Sequence, residues 1–443
     1  MQGQKASVQT SLQAIALKAE MQPGYRFQNL FGMVNEEMLK DSWRFIRKDA
    51  AFGIDRVSAD EYEQNLEENI HQLVDDLKQK RYRAKLVLRR YIPKGNGKLR
   101  PLGLVATQDK LLQMAVKRIL QAIYEQDFLN CSYGYRPNIG ALDAVAELTR
   151  KLQFGKYNYL VEADIKGFFD NLNKELLLNM LGERIDDKAL LWLIKKWLDA
   201  GVLDTDGKVL HPETGSIQGG IISPILANVY LHNVLDLWFQ KVVIPHCSGK
   251  AFLIRFADDF VCAFEKLEDA QRFYAVLGKR LEKFGLELSA EKTRIIPFSS
   301  AIQPGKASFD FLGFEFRWGK DRKGKPHVGR RTSRKNLRSS LKRVKEWCKV
   351  SRSMRLPELF KLLNAKLRGH YNYYGVIGNY PSLRQFYWGV ARLLKKYLNR
   401  RSQRGSYNWT GFLQLIEQFN IEKPRIVGRP KRYRKTSMEP NMA

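Results

Sequence analysis

Apolar residues recur along this chain at two periods, and the periods predict its elements. Between Asp60 and Lys80, Leu66, Ile70, Leu73, Val74 and Leu77 return at three- and four-residue steps, the signature of an amphipathic helix. LVLRRYI (86–92) alternates like a strand and PKGNGK reads as the turn after it, before the helical run DKLLQMAVKRILQAIYEQ. YLVEADIKGFF (159–169) is a short β-capable run ending in charge and glycine. AFLIRFADDFVCAF (251–264) is a second one, with two aspartates at its middle, and reads as a hairpin or a bent strand. Stretches 174–200 and 223–243 are helical, as is 268–286. TRIIPF is a strand and FDFLGFEF (309–316) a final aromatic strand. Three further helical faces follow: Leu337, Leu341, Val344 and Trp347; Leu359, Leu362, Leu363 and Leu367; and Phe386, Tyr387, Val390, Leu393, Leu394 and Tyr397. Strands and helices alternate irregularly, so the expected class is α+β.

Composition adds a globular core, and charge adds a partner. The chain has 443 residues, of which 44% are hydrophobic and 12% aromatic, which excludes general disorder. Its net charge of +30 is unevenly placed. Residues 1–316 hold 43 basic and 40 acidic side chains, a net of +3, whereas 317–443 hold 33 and 6, a net of +27. Such a field attracts a polyanion. Without an apolar run long enough to span a bilayer, nucleic acid is expected as the partner rather than a membrane. Four scattered cysteines argue against a disulfide framework or a structural zinc site, and the N-terminus lacks a secretion signal, so a cytosolic protein is expected.

Asp164, Asp258 and Asp259 stand on apolar backgrounds. An ionised carboxylate there is costly unless compensated, and adjacent aspartates raise each other's pKa. A divalent cation resolves both problems; Mg²⁺ favours carboxylates together with water and phosphate oxygens. An Asp-Asp pair can also sit in a solvated turn or cap a helix, so the pair alone does not decide.

The motifs arrive in an order that resembles the reverse transcriptases, and among them the group II intron-encoded reverse transcriptase/maturase. The likeness spans roughly 45–425. GIDRVSADEYEQNLEENI is similar to the family's N-terminal extension, with Arg56 in place of a glycine. RRYIPKGNGKLRPLG, SYGYRPNIGALDAV (Tyr135 for Phe), ADIKGFFDNL, GSIQGGIISPILANVYL (Ile217 for Pro) and RFADDF (Phe256 for Tyr) follow, then LELSAEKT, FDFLGFEF and LRGHYNYYG. The resemblance implies a right-hand polymerase: fingers, a palm with an antiparallel sheet, and an α-helical thumb.

It also implies roles. Asp164, Asp258 and Asp259 would bind two Mg²⁺ ions, with the Ile165 carbonyl as a further ligand. Lys94 and Arg100 would grip the triphosphate of a dNTP. Phe169 would block a ribose 2′-hydroxyl, Gln218 and Gly219 would lie against nucleotide and template, and Lys292 would contact the primer end or steady the palm loop. Arg330, Arg331, Arg334, Lys335, Arg338, Lys342 and Arg343 would track nucleic-acid phosphates. Lys98 reads as a solvated turn residue and His370 as structural or RNA-contacting; Trp388 reads as bundle core.

The implied domains are a mobile arm or short partner-bound helix (1–24), an N-terminal extension (25–85), fingers and palm (86–316), a basic helical thumb (317–400) and a basic tail (401–443) with at most a short DNA-binding segment. The composition shift at 317–330 marks the main boundary. No His/Cys cluster follows residue 400, so DNA cleavage is not expected. The expected function is RNA-directed DNA synthesis with maturase activity, in a bacterial cytoplasm and associated with nucleoid or ribonucleoprotein. The partners would be a group II intron RNA and an RNA template carrying a DNA primer; the oligomeric state is left open. Two alternatives stay open: a domesticated relative acting in repair or defence, and an RNA-binding splicing factor with an unused polymerase site.

Overall fold

The computed structural model describes residues 8–93, 99–216, 218–301, 307–401 and 406–427. Lys94, Lys98, Ile217 and the last 16 residues of the tail lie outside them. The chain forms two compact units, one of residues 1–140 and 161–295, the other of 141–160 and 296–443. Helix and sheet are mixed and the sheets are mainly antiparallel, as the irregular alternation of periods predicts.

The first unit is built around helix Thr107–Tyr124, whose Leu111, Leu112, Ala115, Val116, Ile119, Leu120 and Ile123 are fully buried. The helix expected over 60–80 occurs in two pieces, Ala59–Gln64 and Leu66–Lys78. A Ser58–Glu61 capping box starts the first, and Ile70, Leu73, Val74 and Leu77 are buried in the second. Strands Val87–Pro93 and Leu99–Leu104 pair antiparallel, with Ile92 opposite Arg100. Residues 8–24, expected as part of a mobile arm or a short partner-bound helix, form helix Val8–Met21 and a tied-down exit. Leu12, Ile15 and Ala19 bury one face of the helix. The Arg184 guanidinium donates to the carbonyls of Ala19, Gln22, Pro23 and Tyr25.

A second sheet has the strand order Arg294–Pro297, Tyr159–Ala163, Asp259–Phe264, Ala251–Phe256. The last two strands form the hairpin expected over 251–264, closed by a two-residue turn with Phe256 opposite Asp259. The chain then bends from Tyr159–Ala163 into the short pair Ile165–Lys166 with Glu287–Leu288.

The second unit differs from expectation in three places. FDFLGFEF is two strands rather than one, Ser308–Phe311 and Phe314–Lys320, because Leu312 (φ 47°) and Gly313 (φ 81°) turn the chain between them. The Gly/Lys/Arg-rich 317–330, read as a boundary, continues that sheet through strand Pro326–Thr332, against which helix Ala141–Phe154 packs. Residues read as tail form helix Trp409–Gln418, whose Phe412, Leu415 and Ile416 join the core of helices Arg334–Ser351, Leu356–Tyr374 and Tyr380–Leu398. Within those helices Leu362 and Trp388 are exposed, at 40% and 42%, so neither is core.

Candidate catalytic and nucleic-acid sites

Asp164 leaves the end of strand Tyr159–Ala163, and Asp258–Asp259 close the hairpin on the neighbouring strand, so adjacent strands deliver all three carboxylates to one end of the sheet. Burial and then the negative charges of Asp258 and Asp164 push the Asp259 carboxyl up to about 6, although the residue opens to solvent on one side. Lys292 answers part of this charge. Its ammonium lies 2.6 Å from Asp164 Oδ2, and that contact raises the lysine pKa. The loop behind it is fixed by the Ser289 amide, which donates to the Asp164 carbonyl at 2.8 Å. Lys292 is therefore tied into the carboxylate group rather than being a loose surface lysine. Ile165 is buried and paired with Leu288.

The turn itself is strained. Ala257 sits at φ 57°, a left-handed conformation costing an L-residue about 1–2 kcal/mol. Segment 131–134 runs alongside it, with the Tyr133 amide donating to the Arg255 carbonyl and the Arg255 amide to the Cys131 carbonyl. A Cβ on Gly134 would stand 2.2 Å from the Ala257 nitrogen, so only glycine lets the two backbones meet this closely.

The described residues expected at a nucleotide lie in the same compact unit as the carboxylates. Arg100 is exposed on strand Leu99–Leu104. The Tyr135 phenol feels both sides of the site: after burial, the Asp258 charge raises its pKa and Arg100 lowers it. The motif gives Tyr135 no role of its own, yet its phenol senses both the cation and the carboxylates. Phe169 and Gln218 line one cleft of about 280 Å³ together with Arg89, Gly103 and Gly215. The Phe169 carbonyl accepts from the Ser216 amide at 2.7 Å, and the Gln218 carbonyl from the Gly103 amide at 2.7 Å. Gly219 (φ 114°) continues that contact; a Cβ there would stand 2.7 Å from the Gly103 oxygen.

The carboxylates offer hard oxygen donors only, which suits a divalent ion that keeps water and substrate phosphate as its other ligands. Among the described residues no group of three His, Cys, Asp or Glu side chains is arranged to hold a metal ion by itself. Two or three carboxylates with an open remainder are what such an ion requires at a phosphoryl-transfer site, so the donor set fits.

In the second unit, Arg334, Lys335, Arg338, Lys342 and Arg343 are exposed on helix Arg334–Ser351, opposite its buried Leu337, Val344 and Cys348. Arg331 is held bidentate by Glu315 at 2.7 and 3.1 Å, and Arg330 donates to Thr149 Oγ1 at 2.7 Å. These two are thus engaged within the protein. A cleft of about 440 Å³ gathers Arg317, Arg331, Arg334 and Arg338. His370 stacks on Phe386, ring centroids 3.6 Å apart, which gives it a structural place.

Residues 92–316, half of the chain, match the family model described as reverse transcriptase (RNA-dependent DNA polymerase). The chain belongs to the reverse transcriptase family. Members of this family use divalent metal ions, and their fold is the right-hand polymerase. Residues 337–412 of this reverse transcriptase match the maturase-specific domain of group II introns. It is 30% identical to the group II intron-encoded protein LtrA of Lactococcus lactis subsp. cremoris, over 72% of this chain and 65% of that protein. It is 32% identical to protein YkfC of Escherichia coli, over 54% of this chain and 63% of that one. The nuclear intron maturase 3, mitochondrial, of Arabidopsis thaliana is 28% identical over 27% of this chain and 17% of its own length. The chain therefore spans less than two thirds of the length of these relatives. Among the described residues no helix is long and apolar enough to cross a membrane.

Proposed function

We propose that this chain is an RNA-directed DNA polymerase and a maturase: it binds a group II intron RNA, assists its splicing, and copies RNA into DNA from a DNA primer at a target site. The observation that carries the reading is the convergence of Asp164, Asp258 and Asp259 at one end of an antiparallel sheet, in a member of the reverse transcriptase family. In this reading the sheet is the palm, the hairpin Val87–Leu104 belongs to the fingers, and the helices from Arg334 onward are the thumb.

Asp164, Asp258 and Asp259, with the Ile165 carbonyl, would hold two Mg²⁺ ions. When bound, such ions supply activation of the primer 3′-hydroxyl and neutralise charge at the transferring phosphate. The protein's own share is positioning. Arg100 and Lys94 hold the dNTP triphosphate, Arg by forked hydrogen bonds and Lys as a point charge. Phe169 excludes a 2′-hydroxyl by collision. Gln218 and Gly219 give the nucleotide a backbone surface it can approach. Lys292 holds the Asp164 carboxylate in place through their 2.6 Å contact. Arg317, Arg334, Arg338 and their neighbours take backbone phosphates without reading sequence.

Primer extension on poly(rA)·oligo(dT) with dTTP and MgCl₂ tests this. The wild-type chain extends the primer, and Asp258→Ala abolishes extension while keeping RNA binding. An inactive wild type, or an active Asp258→Ala, sinks the reading. The maturase half is tested separately, by splicing of a group II intron RNA with and without the protein.

A further inference from the structure

Behind the acidic turn lies a charge that the polymerase reading does not use. Arg255 and Asp236 are both 0% exposed. Burying an ion pair is a poor way to gain stability, because desolvation offsets the attraction unless every donor is satisfied. Here every donor is. Arg255 Nε donates to Asp236 Oδ1 at 2.7 Å, and Nη2 donates to Asp236 Oδ2 at 2.5 Å and to Ser132 Oγ at 2.7 Å. Nη1 donates to Asn228 Oδ1 and to the carbonyl of Ala257, both at 3.1 Å. Asn228 is fixed in turn, its amide donating to the Gly134 carbonyl at 2.7 Å.

The informative bond is the one to Ala257. That residue holds the strained left-handed φ of the turn and immediately precedes Asp258. A hydrophobic side chain could fill the volume of Arg255, but it could not pull on a carbonyl. The guanidinium is planar with a fixed fork, so Asp236, Asn228 and Ser132 set its plane and the plane sets the direction of the fifth bond.

We propose that Arg255 is a positioning residue for polymerisation: clamped by Asp236, Asn228 and Ser132, it holds the Ala257 carbonyl and so fixes the turn that presents Asp258 and Asp259. The inference rests on the polymerase reading for its consequence, though not for its geometry. Misplacement of a reacting group by about an ångström costs roughly 10²-fold in rate. The effect falls on kcat and on the Mg²⁺ requirement, since the turn supplies carboxylates.

The test uses the full chain and two variants. Arg255→Lys keeps the charge beside Asp236 but cannot reach all four partners. Arg255→Met with Asp236→Leu removes both buried charges, a change that leaves such proteins folded. Extension of poly(rA)·oligo(dT) with dTTP is read as kcat, KM and the Mg²⁺ concentration at half-maximal rate. Hydrogen exchange of the Ala257–Phe260 amides is read alongside thermal melting. The expected result for the folded double variant is a kcat lower by roughly 10²-fold, a KM for dTTP near wild type and a higher Mg²⁺ midpoint. Exchange at 257–260 should be faster by at least about tenfold, with helix Thr107–Tyr124 unchanged. A folded variant with wild-type kcat and wild-type exchange overturns the proposal. An inactive wild type overturns the polymerase reading instead, and the exchange measurement still decides the clamp. Should both Arg255 variants fail to fold, Ser132→Ala removes one neutral partner and leaves the ion pair. It should lower kcat severalfold while the protein stays folded, with a modestly lower melt from the orphaned N–H, and an unchanged kcat there overturns the proposal equally.

Discussion

His370 makes the helical unit acid-sensitive, and the size of the effect can be worked out. Burial, then the nearby positive charge of Arg343, lowers its pKa from 6.5 to about 4. The imidazole stacks on Phe386 and packs 4.7 Å from the Tyr374 ring, and its Nε2 has no hydrogen-bond partner among the described residues. The unfolded chain protonates this histidine near 6.5, whereas the folded chain resists until about 4. Between those values the unfolded state binds more protons, so stability falls as pH falls. From pH 7 to pH 5 the loss comes to about 2 kcal/mol, approaching roughly 3.4 kcal/mol below pH 4. His370→Phe keeps an aromatic ring on Phe386 and removes the titration. Urea or thermal melts of both proteins at pH 7 and pH 5 give a double difference. In that difference the other titrating groups cancel, including His232, which burial also lowers to about 4. The variant should lose about 2 kcal/mol less than wild type over this interval. Equal losses in the two proteins would refute the assignment of the acid sensitivity to His370.

Three further outcomes follow from the sites. Phe169→Ala opens the cleft it shares with Gln218, and discrimination against ribonucleotides in single-nucleotide extension should fall by at least roughly tenfold, with dNTP incorporation retained. Gly219→Ala places a Cβ 2.7 Å from the Gly103 oxygen at φ 114°, a strain of about 1–3 kcal/mol. Its KM for dNTP should rise, and an unchanged KM with an unchanged melt would contradict the close approach. Arg334→Ala with Arg338→Ala strips two exposed cations from the arginine cleft. The slope of log affinity for RNA against log salt should drop by about 2, equally for unrelated RNA sequences. A sequence-dependent loss, or an unchanged slope, would mean that these side chains do not sit on phosphates.

What the sequence made legible, and what it hid, follows from where each charge finds its compensation. Asp164, Asp258 and Asp259 were readable because a carboxylate in an apolar run demands an explanation. Helix Trp409–Gln418 was hidden differently: Phe412, Leu415 and Ile416 have helical spacing, but the surrounding lysines and arginines gave the segment the look of a tail. Segment 317–330 reads as a boundary because the wet edge of a hairpin and an interdomain segment share Gly, Lys and Arg, yet it continues the sheet through Pro326–Thr332. Helix Val8–Met21 carries too few large apolar residues for its period to stand out, and its exit is held by Arg184, far along the chain. Arg255 is the instructive miss. It stands in the apolar run AFLIRF, and the reasoning applied to the aspartates three and four residues later applies to it with equal force. Its partner Asp236 lies 19 residues upstream, on a different element, and no local pattern joins them. The two kinds of buried charge then part company. Arg255 finds all five acceptors inside the protein, and so is a piece of scaffold. Asp259 remains pushed up to about 6 even with Lys292 nearby, so its compensation inside the chain is incomplete. Under the polymerase reading proposed above, a cation and its substrate phosphates would belong at the turn, where charge is left over, and the clamp behind it, where none is.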